Sequence, residues 1–485
     1  MGRNQIMTPG EDSFQNEMIE AAGGIPPHLH KQGDIVPVTL EEWKTFNPQV
    51  IYGCGGDSET GNDFFTKAGW KDVEAVKNGR IYYFPCDLTC RAATNTGYFV
   101  SWLSATLYPE PFSIKADQIL EEKIFKSRKL DIDLDLDYIK NVCIAYSHIH
   151  DFINKTLIVE FDEPLSIVST LEGQRTGIKT VGNHYSSPPC WGIGHNSGLE
   201  DIRSHIYQVI GKSEADSSFL FTGADMDNLS IQHEKFKQME VYALVTAGVQ
   251  GNAVRMSRDE GRYYEPGTIN IILLPNMKLT PRAMTRAIIS ATEGKTAALL
   301  DMDVRSAYNP RVYRATGTGT DNMIVVEGTG IQIDNAGGHS KLGELIAKAV
   351  YAGVQEAVYK QNGFLPNRNV FHRLKERNIS VLGLVSNELC DCVGTRNDFA
   401  AAVEEILLDS RYAGFVEASF VLSDDYEKGL FKDITAYEQY CRDISEEIAG
   451  KWIDSMTDLV EKKNLPDVLE LSLNAILNGV FYRLK

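Results

Sequence analysis

Six short apolar segments between residues 156 and 328 constrain the fold of this chain most, because each is rich in β-branched residues and bounded by Gly, Pro or Asn. Segments of this kind form buried or half-buried strands and cannot be joined into one long helix. In chain order they are TLIVEF, LSIVSTL, FLFTG, VYALVTAGV, TINIILLP and NMIVVEG. The second part of the chain is therefore expected to be built around a β-sheet.

Helical patterns lie between and after these strands. Thr280 supplies an N-cap and Pro281 suits the first helical turn, which predicts a helix directly after TINIILLP. A second helix is predicted over about residues 341–360, and the remainder of the chain is mainly helical in pattern. The sequence thus predicts an α+β layered domain over residues 151–365 and a helical C-terminal extension over residues 366–485.

Residues 1–150 alternate helical and strand patterns, which predicts a small sheet flanked by helices. The stretches PGEDSFQNEMIEAAGG, VTLEEWKTFNPQVIY and DVEAVKNGRIYYFP cover roughly residues 8–110. Their order resembles the C-terminal lobe of substrate-binding proteins of the cobalamin and siderophore class. The resemblance implies a βα-type half lobe of a periplasmic-binding-protein-like fold. The other lobe of that family is missing here, so ligand capture by this half would need a wall from another copy or chain.

The stretch LDIDLDLDY, from Leu130 to Tyr138, alternates apolar and acidic residues. It is expected to be a solvated spacer between the two parts, with an edge strand as the alternative.

Charge and cysteine content exclude several classes of function. The net charge of −18 and the pI near 5.1 argue against nucleic acid or an anionic membrane as partner, since a phosphate backbone attracts clustered Lys and Arg. No window has the ~18 apolar residues of a membrane span, and the N-terminus lacks the apolar core of a secretion signal. The eight cysteines are sparse and lack zinc spacing, which predicts mostly reduced thiols, no metal, no required cofactor and a cytoplasmic chain.

A series of polar and glycine-rich motifs follows the predicted strands. In order they are LFTGADMDN, VTAGVQGNAVR, GTINIILLP, ATEGKTAAL, ATGTGTD and AGGHSKLGELI. Together, over about residues 155–360, they resemble the adenosylcobinamide amidohydrolase family. The resemblance implies a corrinoid substrate and hydrolysis of its aminopropanol amide in cobalamin salvage, giving adenosylcobyric acid and aminopropanol. The rival hypothesis is a non-catalytic corrinoid-binding or transport accessory protein, and either one leaves a homo-oligomer open.

These motifs supply the candidate site residues. Candidates for catalysis are Asp225, Asn252, Glu293, Lys295, Thr318, Asp321 and His339. Candidates for substrate binding, which include two residues of GIGHNSGLED, are His195, Asn196, Thr246, Gly248, Asn270, Thr316, Gly317, Gly319 and Thr320.

The alternation in ATGTGTD offers hydroxyls with little bulk. Gly317 and Gly319 are expected to permit positive φ and close approach of a ligand, while Thr318 is a candidate nucleophile or oxyanion donor. Thr316, Thr246 and water are the alternative nucleophiles, and a Thr-rich tight turn is the purely structural alternative. Asn252 could polarise a carbonyl at the exit of a strand, where loops often carry chemistry.

The remaining candidates concern proton transfer. Glu293 and Lys295 are two positions apart and could converge only at a helix end, where Glu293 could activate water. His339 could protonate the leaving amine, and His195 is a second candidate. Asp225 could orient a histidine or bind water, with an Asx turn as the structural alternative.

Overall fold

The computed structural model describes residues 6–55, 58–90, 94–130, 134–195, 199–260, 267–385, 393–461 and 464–485. The chain divides into two compact units. The first comprises Met1–Phe125, Ser147–Asn154 and Ser187–Gly211. The second comprises Lys126–Tyr146, Lys155–Ser186 and Lys212–Lys485.

Short strands and helices alternate in the first unit, as the sequence predicts. The elements are β1 Ile6–Thr8, α1 Phe14–Ala21, β2 Val36–Val38, α2 Leu40–Phe46, β3 Ile51–Cys54, α3 Ser58–Phe64, α4 Glu74–Lys77, β4 Ile81–Phe84, α5 Cys86–Thr89, α6 Thr96–Leu107 and α7 Pro109–Ser113. Strands β3 and β4 are parallel, which requires a crossover connection such as the one that contains α3 and α4. Trp43 anchors one core, where its ring stacks on Phe65 at 5.8 Å.

A nine-stranded mixed sheet organises the next part of the chain. Its strands are β5 Ile124–Lys129, β6 Ile139–Ile149, β7 Phe152–Ser169, β8 Gly173–Tyr185, β9 Ser217–Thr222, β10 Ser230–Phe236, β11 Met239–Ala247, β13 Ile269–Pro275 and β16 Asn322–Val326. The main path runs β10-β11-β13-β16-β7-β6-β5, and β8 pairs with both β7 and β9. The pairs β13–β16 and β8–β9 are parallel. Two pairs of shorter segments complete the described strands: β12 Ala253–Val254 pairs with β15 Gly317–Thr318, and β14 Lys278–Leu279 pairs with β17 Gln332–Ile333.

Two long helices cover this sheet. Helix α10, Pro281–Asp301, starts as predicted, with the Thr280 hydroxyl accepting from the Ala283 N–H and Pro281 in the first turn. Helix α11, Lys341–Asn362, is capped by Ser340 and ends at Gly363, whose φ of 69° suits glycine. The two helices run in the same direction, because Arg286 lies against Gly337 and the Tyr351 hydroxyl bonds Asp301 at the far end.

The remaining helices are α8 Pro188–His195 and α9 Leu199–Val209 in the first unit, and α12 Val370–Glu376, α13 Val381–Leu384, α14 Arg396–Leu408, α15 Ser410–Glu427, α16 Thr435–Ala449 and α17 Asp467–Leu484 in the second. The C-terminal group has its own apolar core, formed around Phe399, Phe420 and Leu473. Helix α16 ends at Ala449, because Gly450 adopts a left-handed φ of 68° that terminates it. Among the described residues, no helix combines the length and the apolar character that crossing a membrane requires.

Several strand predictions need correction. TLIVEF and LSIVSTL are halves of one strand, β7, with register shifts between Glu160 and Ile167 marking the irregularity between them. Strands β6, β8 and β10 were not predicted. The supposed spacer ends inside a core, because Leu136 and Tyr138 are buried and the Tyr138 hydroxyl donates to the Pro275 carbonyl at 2.9 Å. The prediction of a solvated spacer is wrong for this described part.

Candidate functional site

Glycine-threonine loop and its Asp321 carboxylate

The glycine-threonine stretch is held in place by a short ladder. Strand β15 pairs antiparallel with β12, so that Thr318 lies opposite Ala253 and Gly317 opposite Val254. The Thr316 N–H also donates to the Val254 carbonyl at 2.9 Å, and the Thr296 hydroxyl of α10 donates to the Thr316 carbonyl at 3.1 Å. The loop is therefore anchored by backbone bonds before any side chain of the motif is considered.

Asp321 is the centre of the loop. One of its carboxylate oxygens, Oδ1, accepts from the Thr318 hydroxyl at 2.5 Å and from the Ile269 N–H at 3.1 Å. The Thr318 N–H lies 3.1 Å from both oxygens. These bonds give a carboxylate that is fixed in orientation and in direct contact with a threonine hydroxyl. Such a pair can either close a tight turn or move a proton from the hydroxyl.

Lys295 completes this arrangement from helix α10. Its ammonium group donates to Asp321 Oδ2, and the two side chains are only 8% and 12% exposed. A buried lysine paired with a buried carboxylate is balanced in charge. We call Lys295, Gly317, Thr318 and Asp321 the threonine cluster.

Gly317 is required for a reason that the sequence did not indicate. Neither Gly317 nor Gly319 has a positive φ, so the expectation of left-handed backbone at these positions is wrong. A Cβ on Gly317 would instead meet the Asp321 carboxylate and lie 2.8 Å from the Lys295 ammonium nitrogen. A Cβ on Gly319 would lie 2.8 Å from Asn252 Oδ1. The missing side chains make room for the protein's own polar groups.

Asn252 belongs to the same loop system. Its amide nitrogen donates to the Gly267 carbonyl at 2.9 Å and lies 3.4 Å from the Thr320 hydroxyl, which donates to the same carbonyl at 3.0 Å. The Tyr308 hydroxyl lies 3.4 Å from Asn252 Oδ1. Asn252 thus ties together the segments on either side of the loop, and its role in polarising a carbonyl stays a prediction.

Placement of the other candidates

Thr246 and Asn270 meet inside the sheet. The Asn183 amide donates to the Thr246 hydroxyl at 2.8 Å, and the Asn270 amide donates to Asn183 Oδ1 at 2.8 Å and to the Phe221 carbonyl at 2.9 Å. All three polar side chains are at most 2% exposed. This places them as a buried polar link between β8, β11 and β13, and substrate contact by Thr246 or Asn270 stays a prediction.

Gly248 and Asp225 lie where α11 ends. The Gly248 N–H donates to the Thr268 carbonyl, and the side chains of Gln361 and Asn362 accept from the N–H groups of Asp225 and Val249 at 3.0 Å. Asp225 accepts from the Asp227 N–H at 2.9 Å, which is the Asx turn that the sequence allowed.

Asp225 also has a cation partner. The Lys155 ammonium lies 2.7 Å from the Asp225 carboxylate and 2.6 Å from that of Asp227. Burial lowers the pKa of Lys155, but the two carboxylates outweigh burial and raise it. No histidine-orienting contact of Asp225 accompanies this pair in the part of the chain that the structure describes.

Glu293 and Lys295 do not converge. Helix α10 continues without interruption to Asp301, so residues two positions apart point in different directions. Lys295 is buried against Asp321, whereas Glu293 is exposed. The helix end on which their convergence depended is therefore not found here, and Glu293 points away from the threonine cluster.

His339 lies in an exposed turn before α11. The helix of 22 residues spans about 33 Å at 1.5 Å per residue, and its opposite end carries Gln361 and Asn362 beside Asp225 and Gly248. His339 and the candidates at that end are therefore not brought together. His195 ends α8 in the first unit, and its side chain, together with Asn196, lies outside the described residues.

Reasoning from the sequence missed Asn183, Tyr308 and Thr268. Asn183 lies in β8, which was not predicted as a strand, and Thr268 donates to the Thr320 carbonyl at 2.5 Å. Asn183 had one detectable signal, since polar Asn183 and His184 interrupt an otherwise apolar strand end. His184 is wholly buried, which lowers its pKa to about 3 and keeps it neutral.

A second cluster of charged side chains lies around the segment between α10 and the glycine-threonine loop. Asp424 of α15 accepts from both terminal nitrogens of Arg305, at 2.9 and 3.0 Å, and from Arg314 at 3.0 Å. Asp303 pairs with Arg305 and with Arg377 at 3.0 and 2.7 Å. We call these five residues the arginine cluster. It joins the C-terminal helices to the segment that leads from α10 into β15.

The arginine cluster shifts the ionisation of its members. Burial raises the pKa of the Asp303 carboxyl, but Arg377 and Arg305 outweigh burial and hold the pKa well below its ordinary value. Burial together with the neighbouring Arg305 lowers the pKa of Arg377 to about 10. Both groups remain charged near neutral pH, as an ion pair requires.

Comparison with known proteins

Similarity to known proteins concentrates on the range that contains the threonine cluster. Residues 140–366 match the family model of adenosylcobinamide amidohydrolase. An uncharacterized protein of Methanocaldococcus jannaschii is 42% identical over 226 residues, covering 43% of this chain and 87% of that protein. The adenosylcobinamide amidohydrolase of Methanosarcina mazei is 30% identical over 223 residues, covering 43% of this chain and 94% of that protein.

The N-terminal region has a different relative. An uncharacterized ABC transporter substrate-binding lipoprotein of Bacillus subtilis is 29% identical over 107 residues, covering 22% of this chain and 33% of that protein. The resemblance of the N-terminal part to a portion of a substrate-binding protein is thereby confirmed. With its threonine cluster inside the matched range, the chain belongs, through residues 140–366, to the adenosylcobinamide amidohydrolase family.

Proposed function

We propose that the chain hydrolyses the aminopropanol amide of adenosylcobinamide to adenosylcobyric acid and aminopropanol, in corrinoid salvage. The observation that carries this proposal is the Thr318 hydroxyl 2.5 Å from the Asp321 carboxylate. Family membership over the same residues supports the class of substrate. An amide bond hydrolyses very slowly without a catalyst, so a positioned nucleophile and a proton acceptor are the minimum that a site must provide.

The threonine cluster supplies these two groups. Asp321 accepts the Thr318 proton while the hydroxyl oxygen attacks the amide carbonyl carbon, which forms a tetrahedral intermediate. Collapse of the intermediate breaks the C–N bond, and the proton held by Asp321 goes to the departing amine. Water then hydrolyses the ester on Thr318, giving the carboxylic acid and restoring the hydroxyl, so the sum is amide plus water to acid plus amine.

Lys295 has a supporting role in this scheme. Its ammonium group stays beside Asp321 Oδ2 and keeps the other oxygen, Oδ1, directed at Thr318. The buried pair also excludes water from one side of the carboxylate, because both side chains are at most 12% exposed. Lys295 therefore positions the proton acceptor.

The test is direct. Purified full-length chain is incubated with adenosylcobinamide, and both aminopropanol and the corrinoid acid are measured by mass spectrometry over time. Equimolar appearance of the two products, absent with the Thr318→Val variant, supports the proposal. Adding hydroxylamine identifies the nucleophile, because an acyl ester on Thr318 would be released as a corrinoid hydroxamate. Product formation without hydroxamate would assign the attack to water.

A second function is favoured by the N-terminal relative. Similarity to part of a substrate-binding lipoprotein agrees with a non-catalytic corrinoid-binding or transport accessory role. That role predicts tight binding of adenosylcobinamide with the amide intact after prolonged incubation. Release of aminopropanol at a rate above that of a protein-free control would contradict it.

A further inference from the structure

Three cysteines of the first unit, which the hydrolytic scheme does not use, come together at one edge of a small sheet. Cys54 is the last residue of β3, and Cys86 follows Pro85 after the parallel strand β4. The carboxyl ends of parallel strands meet at the same edge, which is why residues 32 positions apart become neighbours. Cys90 follows α5 directly, and the three sulfur atoms all lie within 4.8 Å of one another.

The local geometry explains why Cys90 joins the group. Cys86 and Cys90 are four positions apart around a single helical turn, closed by the Cys90 N–H donating to the Cys86 carbonyl at 3.0 Å. Residues at this spacing share a face, so both thiols are directed to the side where Cys54 lies. Sequence spacing alone gave no zinc motif, because the first ligand comes from a different strand.

The cluster has two covalent states. Cys54 and Cys86 form a disulfide in the structure, while Cys90 is an exposed free thiol. The sequence predicts mostly reduced thiols, and among the described cysteines Cys90, Cys143, Cys190 and Cys441 are free, whereas this pair is the exception. A dithiol reductant would convert the pair into two thiols, as two electrons and two protons pass to the cysteines and the reductant becomes a disulfide. The reduced cluster then presents three thiols in one place.

We propose that Cys54, Cys86 and Cys90, when reduced, bind one thiophilic metal ion such as Zn²⁺ or Cu⁺ through three thiolates. Thiolate sulfur selects such ions over Mg²⁺ or Ca²⁺. A tetrahedral ion with metal–sulfur bonds of about 2.3 Å needs sulfurs about 3.8 Å apart. The Cys90 sulfur lies within 4.8 Å of the other two and would need to approach by about 1 Å at most, while the Cys54 and Cys86 sulfurs move apart once the disulfide is reduced. The fourth position is open to water or another ligand, and each thiol releases its proton on binding.

Oxidation and metal binding exclude each other at this site. A Cys54–Cys86 disulfide removes two of the three ligands, so forming it expels the ion, and a bound ion protects the thiols from forming it. A structural disulfide alone would need only two cysteines. The third, exposed on the same helical turn, is the observation that distinguishes the two assignments.

Co²⁺ provides the test, because cobalt–thiolate bonds give charge-transfer absorption in the near ultraviolet that scales with the number of thiolates. Full-length chain, reduced with a phosphine and kept anaerobic, should bind one Co²⁺ with this absorption and with visible bands of tetrahedral cobalt. Zn²⁺ should displace it. Oxidised chain should show neither absorption. Co²⁺ charge-transfer absorption that is equal in reduced and oxidised protein, or absent from the reduced protein, would overturn the proposal.

Single variants locate the site. Cys90→Ser, at an exposed position, should remove about a third of the charge-transfer absorption and weaken binding at least tenfold, since even residues outside the ligand shell contribute 10–100-fold. Cys390→Ser with Cys392→Ser, the other closely spaced pair in the sequence, is the matched control and should leave binding unchanged. Loss of absorption in the control, or full absorption in a folded Cys90→Ser variant, would assign the metal elsewhere. Hydrolysis of adenosylcobinamide should be unchanged by Cys90→Ser, which keeps this test separate from that of the proposed function.

Discussion

The threonine cluster and the arginine cluster both bury charges in the second unit, but they do so in different ways. In the arginine cluster, Arg305 and Asp424 are each 2% exposed and are joined by two parallel hydrogen bonds. In the threonine cluster, the Lys295–Asp321 pair is joined by a hydroxyl, and glycine leaves space beside it. In both clusters each buried carboxylate thus has a cation partner, yet only the threonine cluster contains a hydroxyl that could attack a substrate carbon.

A buried ion pair is therefore not by itself a mark of function. The arginine cluster fixes one α-helix of the C-terminal extension against the segment before β15, which is a structural task. The threonine cluster differs from the arginine cluster because its carboxylate, Asp321, accepts a hydrogen bond directly from a hydroxyl group, that of Thr318. Substitutions in the threonine cluster should therefore change mainly the catalytic rate, and substitutions in the arginine cluster mainly the stability.

The largest expected effect is on rate. Thr318→Val removes the hydroxyl at nearly constant volume and should lower kcat by roughly 10³-fold or more, because the nucleophile is lost. The melting temperature should change little, since Asp321 keeps its bonds to Lys295, to the Ile269 N–H and to the residue 318 N–H. Steady-state kinetics beside thermal unfolding measures both. Thr292→Val, on the exposed side of α10, is the control and should retain the wild-type rate. Unchanged kcat in Thr318→Val would make the cluster structural, like its counterpart.

The next largest effect is on stability. Asp424→Asn removes one of the two carboxylates that pair with the buried Arg305, together with its two parallel hydrogen bonds, which should lower the free energy of unfolding by about 3–5 kcal/mol. Urea unfolding measures the loss, and kcat of the folded fraction at low temperature should stay within about threefold of wild type. Asp425→Asn removes a neighbouring carboxylate that is 40% exposed and paired with Lys428, and it should cost less than about 0.5 kcal/mol. A similar loss of unfolding free energy in both variants would show that the arginine cluster does not have the stabilising role assigned to it.

A smaller effect is expected on the pH dependence of the free energy of unfolding in acid. Arg377 and Arg305 hold the pKa of Asp303 below its value in the unfolded chain, about 3.9. The stability that this group contributes is therefore complete above about pH 4 and is lost as the pH falls from there towards the folded-state pKa, by about 1.4 kcal/mol per pH unit. Unfolding by urea at a series of pH values measures the slope. In Asp303→Asn the slope below pH 4 should flatten, and an identical slope in variant and wild type would show that other carboxylates dominate.

The smallest effects are expected at Glu293 and His339, two of the proton-transfer candidates that lie outside both clusters. Glu293→Gln and His339→Ala alter exposed side chains, so each should change kcat by less than about threefold and stability by less than about 0.5 kcal/mol. The same kinetic assay as for Thr318→Val applies. A fall of roughly 10²-fold in either variant would restore that residue to proton transfer and show that the threonine cluster is incomplete as described.

Much of the fold was accessible from the sequence because local signals decided it. Thr280-Pro281 marks the start of α10, and the apolar run NMIVVEG marks β16, since capping and β-branched patterns act within a few residues. Strand β8 was not predicted, because Gly182, Asn183 and His184 are unusual in a strand. Pairing with the neighbouring strands β7 and β9 stabilises the extended conformation of these residues.

The site was accessible only in part, for the same physical reason. The motifs contained Thr318, Asp321 and Lys295, but which of the seven catalytic candidates meet depends on pairing across the fold. Helical spacing from Ala291 places Lys295 on the buried face of α10, but the local sequence does not indicate that its partner there is Asp321. The arginine cluster could not be anticipated, because Arg305 and Asp424 are 119 positions apart.

The empty space at Gly317 has a consequence for the sequences of relatives. In any relative that has a lysine equivalent to Lys295 and an aspartate equivalent to Asp321, a side chain at position 317 would overlap the salt bridge between them. Substitutions at these three positions should therefore occur together, with larger residues at 317 confined to proteins that have exchanged the lysine or the aspartate. Glycine at position 317 of a relative would therefore indicate that the ion pair is present, although the glycine itself contributes no atom to it.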